Sequence, residues 1–78
     1  MLHTPLDGER VFEVSVYNKL VRSLVKENRS HSVFDDHWAD LQLQKLIASD
    51  EAEARRLIGE RFPESDGFVI EAVNPTIV

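Results

Sequence analysis

The spacing of hydrophobic positions changes from two residues to three or four between residues 11 and 27. Residues 11–17 contain three valines, a phenylalanine and a tyrosine, a composition typical of a strand. Phe12, Val14 and Val16 fall on one face by period two. We therefore expect a strand over 11–17. The alternative is that residues 9–17 begin one longer helix from Gly8 to Glu27, whose first turns would be rich in β-branched residues.

The hydrophobic positions that follow predict a helix from about Asn18 to Glu27. Either Asn18 or Ser15 has a side chain suited to capping its first turn. The apolar residues recur at the spacing of an amphipathic helix, and they are Tyr17, Leu20, Val21, Leu24 and Val25.

A second helix and a last strand are expected in the C-terminal half. Ser49-Asp50 offers a cap, acidic residues fill the first turn, and Pro63 ends the helix because the residue before a proline avoids the helical region. The apolar face of this helix would be Ala54, Leu57, Ile58 and Phe62. Residues 68–73 then read as a strand between two turn signals.

Residues 39–47 fit two structures. Ala39, Leu43, Leu46 and Ile47 have helical spacing, whereas Leu41 and Leu43 alternate with glutamines as in a strand. We favour the strand, because a new helix begins at Ser49-Asp50 and because the strand at 68–73 needs neighbours for its backbone groups.

These elements predict an α+β (or small α/β) fold in the order β-α-β-α-β. We expect a single domain over 1–78, with a three-stranded sheet and two amphipathic helices packed on one face; 1–8 and 75–78 are expected to be flexible. The exposed sheet edges invite pairing with another strand. The predicted core is Phe12, Val14, Val16, Leu20, Val21, Leu24, Leu41, Leu43, Leu57, Ile58, Phe68 and Ile70.

Composition narrows the classes of function. The 78 residues include no cysteine, which excludes disulfides, thiolate metal sites and cysteine nucleophiles. So small a domain has little room for a deep pocket, and its glycines are not clustered as in phosphate-binding loops. We expect no enzymatic activity and no cofactor. Since nothing resembles a signal peptide or a membrane span, we expect a cytoplasmic protein without a membrane partner.

The charge is unevenly distributed along the chain. The formal net charge of −5 divides into +1 for residues 1–34 and −6 for residues 35–78. The acidic half should repel nucleic acid, so only the N-terminal half is a candidate for attracting it.

The polar segment 31–40 is the first candidate site. Histidine and carboxylate side chains are ligands for zinc, manganese or iron, and a carboxylate beside a histidine has the parts of an acid–base pair. The alternative is an ordinary solvated connector whose aspartates bond their own backbone. The candidate metal ligands are His31, Asp35, His37 and Asp40.

Phe34 and Trp38 are a second candidate. Tryptophan in a small domain is usually part of the core, but it is also enriched in binding hot spots. The two rings would then form an aromatic patch for a protein partner.

A third candidate is a basic stripe formed by Lys19, Arg22, Lys26 and Arg29, which recur at helical spacing. Such a stripe suits phosphates or an acidic partner, including the acidic half of a second copy. An ordinary solvated helix face is the alternative.

Together these features favour a protein–protein interaction module that acts through a sheet edge, the basic stripe or the Phe34–Trp38 patch, and that self-associates in its simplest version. A metal or acid–base site in 31–40 and nucleic-acid binding through the basic stripe are the alternative functions.

Overall fold

The computed structural model describes residues 8–76, which form one small domain around a three-stranded antiparallel sheet. The element order is β1 (Arg10–Asn18), α1 (Lys19–Lys26), β2 (Gln42–Ala48), α2 (Glu51–Arg61) and β3 (Phe68–Thr76). Two short 3₁₀ turns, Asp36–Ala39 and Glu64–Asp66, lie in the connections. The predicted α+β fold and its order are confirmed, and both ambiguous segments, 9–17 and 39–47, contain strands.

The expectation of flexible termini falls mostly outside this range. Residues 1–7 and 77–78 lie outside the described residues, so for them it stays a prediction. Pro75 and Thr76 are the last two residues of β3, and their flexibility also stays a prediction.

The central strand is β1, which is antiparallel to β2 on one side and to β3 on the other. The strands β2 and β3 are therefore parallel to each other but separated by β1, and α2 connects them as a split β-α-β unit. Because β1 has a neighbour on both sides, its backbone groups are satisfied at both edges. The other two strands each keep one free edge within the described chain.

The main core lies between the sheet and α2. Its buried members are Phe12, Val14, Leu46, Ala48, Ala54, Ile58 and Val73. Phe12 is opposite Leu46 in the β1–β2 register, so the even-numbered residues of β2 face α2.

The predicted burial of Leu41 and Leu43 is wrong for this reason. Odd-numbered residues of β2 point to the opposite face of the sheet, and a strand's side chains change face with every residue. Leu43 is 62% exposed and Leu41, just before the strand, is 45% exposed. The sequence pattern showed the alternation but not which half of it was inward.

The helix α1 buries a narrower face than its pattern predicted. Val21 is fully buried and Leu24 is half-buried, but Leu20 is 45% exposed, so its assignment to the core is wrong. This helix has only eight residues and continues directly from the end of β1. Of the other predicted core residues, Phe12, Val14, Val16, Ile58 and Phe68 are buried, while Leu57 and Ile70 are partly buried.

Asn18 joins β1, α1 and the turn before β3. Its Oδ1 accepts hydrogen bonds from the Leu20 and Val21 N–H groups at 2.9 and 3.0 Å, which confirms the predicted cap. Its Nδ2 donates to the Asp66 carbonyl at 3.0 Å. The side chain is fully buried, and these bonds satisfy both its acceptor and its donor.

Gly67 allows the turn before β3 to lie against the start of α1. Its φ of 96° is in the left-handed region, and a Cβ there would lie 2.7 Å from the Leu20 Cγ. Its carbonyl accepts a hydrogen bond from the Lys19 N–H at 2.8 Å.

The cap of α2 also follows the sequence prediction. The Asp50 Oδ1 accepts a hydrogen bond from the Glu53 N–H at 2.8 Å. The Glu53 Oε1 in turn accepts one from the Ser49 N–H at 3.1 Å. The helix ends at Arg61, with Phe62 as its C-terminal cap directly before Pro63.

Candidate functional site

Segment 31–40 is held by short-range hydrogen bonds. The His31 Nδ1 accepts from the Val33 and Phe34 N–H groups at 3.0 and 3.2 Å, so this nitrogen is the unprotonated one. The Ser30 hydroxyl donates to Asp36 Oδ2 at 3.3 Å. Both contacts shape the connector before the first 3₁₀ turn.

Asp35 caps that turn. Its Oδ1 accepts from the His37 N–H at 3.0 Å and lies 3.0 Å from the His37 Nδ1. The backbone hydrogen bond from His37, followed by its side-chain hydrogen bond and its charge, lowers the pKa of Asp35 below its ordinary value. The Asp35 side chain is 75% exposed and that of His37 is 52% exposed, so water screens this pair.

The four predicted metal ligands do not converge. The side chains of Asp35 and His37 are in contact, but the His31 ring faces the backbone N–H groups of Val33 and Phe34. Asp40 is exposed at the end of the turn. Among residues 8–76, no three histidine, cysteine, aspartate or glutamate residues form a group that could hold a metal ion. The metal hypothesis therefore has no geometric support from these residues. The acid–base hypothesis is left with one solvent-exposed pair.

Phe34 and Trp38 are packed on the domain. Phe34 lies with its ring centroid 5.0 Å from Phe68, and Trp38 lies 5.2 Å from Phe68 and 5.1 Å from Phe62. Both rings are half-buried, whereas Phe68 is 4% exposed. These contacts pack both rings against the buried Phe68. A role in partner binding stays a prediction.

Two members of the basic stripe, Arg22 and Arg29, make contacts within the domain. The Arg22 Nε donates to the Ala39 carbonyl at 2.7 Å, and its guanidinium carbon lies 3.7 Å from the centre of the Tyr17 ring. Arg29 lies beyond the end of α1 and is 3.7 Å from Glu27. Lys19 and Lys26 are exposed at opposite ends of the helix. Arg22 is therefore held against the connector and Tyr17, and a role of the four side chains in binding stays a prediction.

A shallow groove of about 510 Å³ lies beside β3. Its charged residues, Lys19 and Glu64, have opposite signs, so the groove carries no net formal charge. The remaining lining residues are Gly59, Phe62, Phe68, Val69 and Ile70.

The free edge of β2 is a surface that the sequence prediction named only in general terms. Leu43 and Lys45 are exposed on the face opposite α2, where they neighbour Ser15 and Glu13 of β1. The signal was present in the sequence, since Leu41 and Leu43 alternate with glutamines. The alternation does not say which half of the residues faces inward, because that depends on the register with β1.

The two free edges of the sheet differ. In β3, Ala72 pairs with Ser15 of β1 and Ile70 pairs with Val16 of β1, so Glu71 lies in a bulge. Pro75, which has no N–H group, follows within the same strand. In β2, seven residues pair with β1 in unbroken register and include neither glycine nor proline. Bulges and prolines protect an edge from added strands, so β2 is the less protected edge.

Comparisons of this chain with protein-family models, with curated proteins and with solved structures gave no match. Within the described part of the chain, neither helix has the length and apolar character needed to cross a membrane.

Proposed function

We propose that this chain is a protein-interaction module that binds an extended segment of another protein along the free edge of β2. The observation that carries the proposal is the edge of Gln42–Ala48, which has neither bulge nor proline and carries Lys45 as its one charged residue, with Leu43 exposed beside it. An edge strand offers backbone N–H and C=O groups to an added strand, and these hydrogen bonds supply much of the affinity in strand addition.

The side chains of β2 support a preference for an apolar partner strand. Leu43 and the preceding Leu41 are exposed on one face, and Ile47 on the same face is half-buried. Full burial of one leucine contributes about 1.5–3 kcal/mol. An added strand with apolar residues at alternate positions would cover this row, since directly opposite side chains share a face.

The remaining candidates have weaker support. The basic stripe and the exposed Asp35–His37 pair each lack a second feature that points to a ligand. The packed rings of Phe34 and Trp38 already have partners inside the domain. We therefore assign partner binding to β2 and keep the other surfaces as the less favoured sites.

Selection of short random peptides displayed on phage tests the proposal. We expect the selected peptides to carry alternating apolar residues and to shift the backbone amide NMR signals of β2. Leu43→Lys should weaken their binding, because it replaces an exposed apolar contact with a charge. The substituted residue is largely exposed, so the fold should be retained.

Asn74→Lys is the matched control. Asn74 is also exposed and lies on β3, opposite Glu13 of β1, so the change adds the same charge near the protected edge. Peptide binding should be unaffected by it. The proposal would be wrong if the selected peptides shifted signals elsewhere, or if both variants bound them as tightly as the unmodified chain.

A further inference from the structure

We propose that the strand which pairs with the β2 edge is β2 of a second copy of this chain, in an antiparallel register centred on Gln44. This inference rests on the proposed strand-binding function and names its partner. The edge that makes β2 able to receive a strand, which has neither bulge nor proline, also makes it able to act as one.

The register follows from the side chains of β2. Two identical antiparallel strands related by a two-fold axis bring one residue opposite itself. With Gln44 at the axis, Leu43 lies opposite Lys45 of the second copy, and Leu41 lies beside Ile47 of the second copy. The exposed leucines are then covered by a lysine's aliphatic stem and by an isoleucine.

Neighbouring registers are less favourable. Centring the pair on Lys45 would use all seven strand residues but would put two lysines directly opposite each other, which is destabilising. Centring it on Leu46 would leave Leu43 facing residue 49, beyond the end of the strand. Centring it on Leu43 would also separate the lysines and would pair Leu43 with itself, but it would join only residues 42–44 of the two strands. The Gln44 register joins residues 42–46, so it pairs more of the strand while it keeps the lysines apart and covers Leu43.

Charges and amides agree with this register. Lys45 lies opposite Glu13 of β1 in its own sheet, so its charge has a neighbour of opposite sign, and Leu43 on its other side is neutral. Gln44 is half-buried on the α2 side and makes no side-chain hydrogen bond within residues 8–76. Across the axis its amide can donate to, and accept from, the amide of the same residue in the second copy.

The assembly would close at two copies. Pairing through β2 joins two three-stranded sheets into one sheet of six strands, whose outer edges are both β3. Those edges carry the Glu71 bulge and Pro75, which disfavour further addition.

Sedimentation equilibrium of three chains tests the register. The unmodified chain should form dimers. In Leu43→Lys the new charge faces Lys45 of the second copy at two places, so the dissociation constant should rise about tenfold or more. In Leu43→Glu the same leucine is lost, but each glutamate faces a lysine, so the dimer should persist and should weaken with salt. Equal effects of the two variants would overturn the register.

Cysteine cross-linking tests the register independently of sedimentation. An introduced cysteine would be the single one in each chain, because the sequence contains none. Gln44→Cys should cross-link to itself on mild oxidation. Gln42→Cys is the control, because it replaces the same residue type on the same face. It should not cross-link, because the two copies of residue 42 would be offset by about 13 Å along the strands. Cross-linking of Gln42→Cys in preference to Gln44→Cys would overturn the inference.

The outcomes separate this inference from the proposed function. If the unmodified chain stays monomeric up to millimolar concentration while selected peptides still bind the β2 edge, self-pairing is wrong and strand binding stands. If the chain dimerises but Leu43→Lys leaves the dimer unchanged, copies meet at another surface and self-pairing through β2 is again wrong. If neither dimers nor peptide binding at β2 is observed, both proposals fail.

Discussion

Single residues decide how tightly the end of β1 is joined to the start of β3. Gly67 adopts a φ of 96° and lies against Leu20 and Asn18, with no room for a Cβ. Gly59 presents the opposite case, since it lies inside α2 with open space around its Cα. The two glycines therefore make a matched pair in which the same substitution meets different surroundings.

Gly67→Ala should lower the free energy of unfolding by about 1–2 kcal/mol for the left-handed backbone alone, and by more because of the contact with Leu20. Gly59→Ala should raise it by about 0.5–1 kcal/mol, since alanine favours a helix over glycine. Urea unfolding followed by circular dichroism measures both. A similar loss of stability in the two variants would contradict the packing at Gly67.

Residue identity also explains what could be predicted at the candidate sites. Asp35 was expected to bond its own backbone in a connector, and it caps the first 3₁₀ turn through the His37 N–H. The tethering of Arg22 to the Ala39 carbonyl could not be foreseen, because that carbonyl is 17 residues away in sequence and reaches α1 only after folding.

At the scale of elements, local signals placed the helices and strands well. Asn18 and Asp50 cap the helices as their side chains predict, and Pro63 follows the end of α2. Register is the information that local signals lack. A shift of one residue turns every side chain of a strand to the other face, so the exposed position of Leu43 in β2 cannot be assigned without the register with β1.

The cap of α2 provides a prediction for this element. Asp50→Ala removes the acceptor for the Glu53 N–H and should lower the free energy of unfolding by about 1 kcal/mol. Asp50→Ser should recover most of that loss, because serine also caps helices well. Thermal unfolding of the two variants measures the difference. Equal melting temperatures for them would show that the cap contributes nothing to stability.

For the whole molecule, the aromatic rings tie the 31–40 connector to the sheet and to α2. Phe68 is buried and has Phe34, Phe62 and Trp38 each with a centroid 5.0–5.2 Å away. These rings come from three separate parts of the chain. The connector should therefore unfold together with the sheet, although it has no strand or α-helix of its own.

Phe68→Leu tests this coupling. The smaller side chain leaves a gap beneath three rings and should lower the free energy of unfolding by about 1–2 kcal/mol. The fluorescence of Trp38, the single tryptophan, reports on the connector, and far-ultraviolet circular dichroism reports on the sheet and helices. Both midpoints should fall together by about 4–8 °C per kcal/mol.

Phe34→Leu serves as the control for that experiment. Its ring is only half-buried, so the same change should lower both midpoints by less than Phe68→Leu does. Separate midpoints for the two signals in the unmodified chain would mean that the connector opens independently of the sheet, contrary to the expected single transition.

The order of strands in the sheet has a consequence for how the chain is made. The central strand β1 precedes both of its partners in the sequence, and β3, which pairs with it along nearly its whole length, comes last among the described elements. A growing chain therefore exposes β1 with both edges open until β2 and then β3 have left the ribosome. Contacts between such distant segments form slowly. Between synthesis and folding, the strand that is best protected in the finished domain is the one most open to wrong partners.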